Sequence, residues 1–163
     1  MYSTLSSYTS KEFYSTLIDN LTLAQALTIH YDLNPQFTRW TNYFNSVSSK
    51  LIKSHDISHI LFGCDTSYSG EYTVQTWVRY GVNDNIRKQD ILKYLFNKDL
   101  IQLVLPPKLI QYSLSHRLEF KNIQQKVKKQ VSLMTKKWQY FDEEKYMQTS
   151  IATIRSEYNI ILM

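Results

Sequence analysis

With 163 residues and a mass of 19.4 kDa the chain has the size of one ordinary domain, and its 43% apolar content is enough to fill a core. Thirteen tyrosines and 14% aromatic residues exclude a disordered tail, while three glycines and three prolines are too few for the tight turns of a small all-β domain. The net charge of +5 favours anionic partners, and a single cysteine, Cys64, rules out an internal disulfide and points to a reducing compartment.

The serine- and threonine-rich residues 1–10 read as a frayed terminus. The first twenty residues show neither the basic start and apolar run of a secretory signal nor the arginines of a mitochondrial presequence. A helix is expected over residues 11–33, with Phe13, Leu17, Leu21, Ala24 and Leu27 inward, and Asn34-Pro35 breaks it. From Phe37 the apolar positions Trp40, Phe44, Val47 and Leu51 recur three and four apart, the seam of a core helix over residues 37–62. That seam runs on through His55, Ser58 and His59 to Phe62.

Gly63 and Gly70 then flank a turn, Ser69 is the expected cap, and a helix opening near Gly70 or Glu71 should stop near Gly81 with Glu71 on the face of Val74 and Val78. Residues 86–105 are apolar and helix-favouring, Pro106-Pro107 interrupts them, and residues 109–141 resume as one long or kinked helix. A last amphipathic stretch covers residues 146–158. Apolar runs are far shorter than the ~20 residues of a spanning helix. The expectation is an all-α fold: a compact single-domain bundle of about six or seven helices over residues 1–163.

The charge is concentrated. Residues 116–138 hold Arg117, Lys121, Lys126, Lys128, Lys129, Lys136 and Lys137 against one acid, Glu119, whereas the rest of the chain is nearly balanced. Ile123, Val127, Met134 and Trp138 recur there at helical intervals, so the segment reads as a cationic amphipathic helix. Such a helix suits an anionic membrane surface, an acidic protein, or simply a core with a solvated lysine face. Nucleic acid is the weakest partner, because arginine is scarce and no nucleic-acid-binding motif accompanies the lysines.

The chemistry-bearing residues are His55, Asp56 and His59, followed after eleven residues by Glu71. On a helix the first three point at about 0°, 100° and 40° and share one arc. Two core-edge histidines satisfied by their surroundings would explain an i, i+4 pair alone. The adjacent Asp56, the glycine-flanked turn and an inward Glu71 favour a metal or catalytic site. Buried ionisable groups must be paired, neutralised or bound to a cation. Two imidazoles and a carboxylate suit zinc, or iron in a facial triad, with Asp56 a further ligand, a proton-handling group or a partner fixing a histidine tautomer. His30 and His116 are read as structural or surface residues.

The string HDISHILFGCDTSYSGEYTVQTW, with His55-Asp56-x-x-His59 and Glu71, resembles the signature of the Coq-four family, the fourth of the coenzyme Q (ubiquinone) biosynthesis proteins. Gly63, Thr66, Gly70 and Glu71 fall on the family's glycine turn and glycine-glutamate pair. The match covers residues 54–77, with a weaker echo in Trp138, Tyr146, Ile154-Arg155 and Ile160. The resemblance implies a helical, peripheral membrane protein binding a divalent metal through His55, Asp56, His59 and Glu71, zinc first and iron, manganese, cobalt or magnesium as alternatives. It implies an isoprenoid-tailed quinone precursor as ligand, oxidative removal of the ring C1 carboxylate with Asp56 and Glu71 catalytic, and an organising role among the other quinone-biosynthesis proteins.

A homo-oligomer would be compatible. The expected location is the cytoplasmic side of the inner membrane, or the matrix side of the mitochondrial inner membrane in a eukaryote. Lys126, Lys128, Lys129, Lys136 and Lys137 would face the anionic leaflet, and residues 100–105 and 109–114 could line a tail groove or be plain core. Two other readings compete. An HD-type phosphohydrolase would draw on His30, His55, Asp56 and one of Asp84, Asp90 or Asp99, and a lipid-binding scaffold would use its metal only as a brace.

Overall fold

The computed structural model describes residues 13–14, 18–35, 46–83, 111–112 and 114–163. They form a mostly helical fold: α1 (Leu23–Leu33), α2 (Ser46–Phe62), α3 (Tyr68–Gly81), β1 (Val82–Asn83), α4 (Arg117–Leu133), β2 (Trp138–Gln139), a 3-10 turn (Glu143–Tyr146) and α5 (Ile151–Tyr158). Five α-helices are thus seen among the described residues, and the all-α expectation holds. Trp40, Phe44, the stretch 86–105, Pro106-Pro107 and the acids Asp84, Asp90 and Asp99 lie outside them. So does most of the proposed tail groove.

Helix α1 begins at Leu23, not near residue 11. Thr22 accepts from Gln25 N–H while the Gln25 side chain accepts from Thr22 N–H, a capping box that fixes the start. Asn34 closes α1 as expected, its N–H reaching the His30 and Tyr31 carbonyls. Helix α3 is capped by Ser67, two residues before the expected Ser69, and stops at Gly81 as the sequence suggested.

The basic segment is not one helix to residue 141. α4 ends at Leu133, Met134 turns extended, and Trp138 pairs in β2, parallel to β1, opposite Val82. The two helix ends there satisfy each other: Thr135 donates through N–H and Oγ1 to the carbonyls of Tyr158 and Glu157, and Asn159 Nδ2 donates to Leu133 O. α5 starts at Ile151, capped by Ser150, rather than at Tyr146.

Around the buried core, Phe62 of α2 stacks on Trp77 of α3 with ring centres 4.6 Å apart, and Tyr72 of α3 stacks on Phe120 of α4 at 3.8 Å. Arg155 of α5, 6% exposed, donates to the carbonyls of Ile60 and Leu61 at the end of α2, to the Tyr14 carbonyl, and to Asp19 at 2.5 Å. One guanidinium thereby satisfies orphan carbonyls of the last turn of α2. Backbone bonds between residues 19–24 and 147–152 complete the join.

Candidate metal centre

Helix α2 supplies His55 and His59 one turn apart, and α3 supplies Glu71 in its first turn. The connection between them is sharply built. Gly63 sits at φ +66°, which lets Cys64 N–H return to the His59 carbonyl at 2.9 Å and ends α2. Asp65 accepts from the Ser67 N–H and hydroxyl, and a Cβ at Gly70 would collide with the Asp65 carbonyl, so only glycine lets α3 start this close to the loop. Glu71 follows immediately and is directed back over α2.

His59 Nε2 lies 3.3 Å from Glu71 Oε1 and His55 Nε2 3.8 Å from Glu71 Oε2. The ligand atoms of His55, His59 and Glu71 all lie within 4.8 Å of one another, so the cluster could hold a metal ion. His59 is buried and its Nδ1 donates to the Cys64 carbonyl at 3.0 Å, which leaves Nε2 to face Glu71, donating to it when protonated and offering a lone pair when not. Burial would lower the basicity of His59, but hydrogen bonding to Glu71 and the charges of Glu71 and Asp56 raise its pKa above the ordinary value. Burial would likewise raise Glu71, and the bond to His59 instead holds it below the usual carboxylate range.

Asp56, expected as a ligand or proton-handling group, stands outside the trio. It is 4% exposed, and its Oδ1 faces Nδ1 of His55 at 3.8 Å on the side of that ring away from Glu71. The same oxygen faces His30 Nε2 at 3.8 Å. Burial alone would raise its pKa, yet His30 and His55 hold it well below the carboxylate range, so Asp56 is ionised. Burial and the Asp56 charge push the Tyr31 hydroxyl far up.

His30 is the residue that reading the sequence underrates. It is fully buried at the edge of the site, with its Nδ1 2.6 Å from the Tyr14 hydroxyl. Its only sequence signal is its place on the inward stripe of α1 with Leu23, Ala26 and Leu27. His116, the other histidine set aside, caps α4 far along the chain, its Nδ1 against the Tyr112 carbonyl and the Ser115 hydroxyl. Cys64 is buried and its thiol is pushed up by burial, leaving its backbone carbonyl as its contribution.

Two carboxylates, Asp56 and Glu71, stand beside imidazoles in a mostly buried position; a dication would balance that charge, and the nitrogen and oxygen donors present would suit one. The lysines do not form one face: Lys126, Lys128 and Lys129 are exposed on α4, while Lys136 and Lys137 follow it. Lys136 is paired with Glu157 at 2.5 Å and lies over the Tyr158 ring, and Lys128 lies over Tyr80. Among the described residues no helix is long and apolar enough to cross a membrane. Comparison with protein-family models, with curated proteins and with solved structures yields no match.

Proposed function

We propose that this protein is a metal-dependent quinone-biosynthesis protein of the Coq-four type, acting on an isoprenoid-tailed ring precursor at its C1 carboxylate. One observation carries the reading: a His-Asp-x-x-His helix and the glutamate opening the next helix bring three donor atoms within 4.8 Å of one another. His55, His59 and Glu71 would hold the ion, zinc first, with iron, manganese, cobalt or magnesium the alternatives. A bound ion would supply Lewis acidity toward a carboxylate or phenolate oxygen.

The chain's own groups do the rest. The Cys64 carbonyl holds His59 with its Nδ1 proton engaged, and Asp56, ionised, faces Nδ1 of His55. The exposed Lys126, Lys128 and Lys129 supply an anionic leaflet with its counterpart, which suits a lipid substrate and a peripheral location on the inner membrane. A phosphohydrolase would need His30 as a ligand with a distant aspartate. The gathering of His59 and Glu71 favours the first reading.

The test is Glu71→Gln. Elemental analysis of the purified variant should show loss of the ion carried by the wild type, and quinone production in a complementation assay should cease while the melting temperature is held. Full metal content in Glu71→Gln would overturn the metal centre, and retained quinone production would overturn its catalytic use.

A further inference from the structure

We propose that His30 is a positioning residue of this site, a third histidine outside the His-Asp-x-x-His and Glu71 pattern. It holds the Asp56 carboxylate against His55 Nδ1 and so keeps His55 Nε2 turned toward Glu71. The inference rests on the metal-centre reading above.

The direction of the protons follows from the donors present. Asn34 Nδ2 donates to the His30 carbonyl at 2.8 Å and to the Tyr14 hydroxyl at 3.2 Å, and Thr66 Oγ1 donates to Asn34 Oδ1 at 3.1 Å. With its oxygen accepting from Asn34, Tyr14 has its own proton to give, and His30 Nδ1 lies 2.6 Å away. A neutral imidazole that accepts at Nδ1 carries its proton on Nε2. That nitrogen faces Asp56 Oδ1 at 3.8 Å, and the same oxygen faces His55 Nδ1 at 3.8 Å.

Reversing the chain would set a lone pair of His30 against a carboxylate in a site closed to water: Tyr14, His30, Asn34 and Asp56 are all buried. The hydrogen bonds therefore run one way, from Thr66 through Asn34 and Tyr14 to His30, and His30 Nε2 turns its proton toward the Asp56 carboxylate across an ion-pair distance of 3.8 Å. This leaves His55 with its proton on Nδ1 and its lone pair on Nε2. His59 reaches the same state through the Cys64 carbonyl, two residues past the end of its own helix. Among the described residues the acceptor facing His55 Nδ1 is Asp56, and the same carboxylate oxygen faces His30 from another helix.

Cobalt(II) binding to the full chain tests this, read by chelator competition and by the visible d–d absorption. Glu71→Gln should lose cobalt; if it does not, the metal centre itself fails, separately from the role of His30. With that control in place, His30→Ala should weaken cobalt by about 10–100-fold and shift the absorption band. His30→Gln, which keeps an N–H donor, should recover most of both. Wild-type affinity and spectrum in folded His30→Ala would overturn the proposal. If His30→Ala does not fold, Tyr14→Phe decides: a several-fold weakening with a shifted band upholds it, and an unchanged profile overturns it.

Discussion

His59 is where proton and cation compete for one nitrogen. Because contact with Glu71 raises the pKa of His59 in the metal-free protein, its proton persists above pH 6.5, and it must leave before Nε2 can act as a ligand. Metal affinity should therefore climb with pH through and beyond that value, and isothermal titration in buffers of different ionisation heat should show proton release on binding. A pH-independent affinity would contradict the role given to Nε2. The turn makes a second demand. Gly63→Ala forces a Cβ into the left-handed region and within 3.0 Å of Leu162, and should cost about 1–2 kcal/mol in urea denaturation. The cluster of His55, His59 and Glu71 was legible because two helices and one turn pack it into seventeen consecutive residues, where helical period and glycine spacing suffice. His30 was not, because its meeting with Asp56 depends on how α1 crosses α2, which no local spacing encodes.

Among the elements, capping and long-range clasping decide the boundaries. Thr22→Ala removes the hydroxyl of the α1 capping box and should cost about 1 kcal/mol, measured by chemical denaturation. Arg155→Ala strands buried carbonyls of Ile60, Leu61 and Tyr14 and should cost about 3 kcal/mol or more; Arg155→Lys should recover only part, since an ammonium cannot reproduce the planar fork. The stop at Gly81 and the break at Asn34-Pro35 could be read from residue type. The end of α4 could not: Val127, Val131, Met134 and Trp138 keep helical spacing to the end. Trp138 is buried instead by pairing beside Val82, more than fifty residues earlier. The helix expected over residues 11–33 is likewise interrupted, because residues 18–20 turn before the Thr22 cap.

At the scale of the molecule the proposed function turns on whether the lysines of α4 bind an anionic leaflet. Reversing Lys126, Lys128 and Lys129 to glutamate should weaken binding to phosphatidylserine-containing vesicles by tenfold or more, with added salt weakening the wild type in the same direction. Lys136→Glu should do less for vesicles, since Lys136 is already engaged by Glu157. Sedimentation with vesicles reads both, and binding that survives the triple reversal would remove the leaflet from the proposal. The all-α character was plain from composition, with few glycines and prolines and long apolar periods. The distribution of the lysines between a helix and the bend after it was not, because charge in a sequence has no direction until the chain turns.

The guanidinium of Arg155 reaches back 94 and 95 residues to the end of α2 and 141 to Tyr14. During synthesis, therefore, the histidine pair and its glutamate leave the ribosome long before the group that seals the carbonyls beneath them. The centre is encoded early, and the carbonyls at the end of α2 gain their guanidinium donor only once residue 155 has been made.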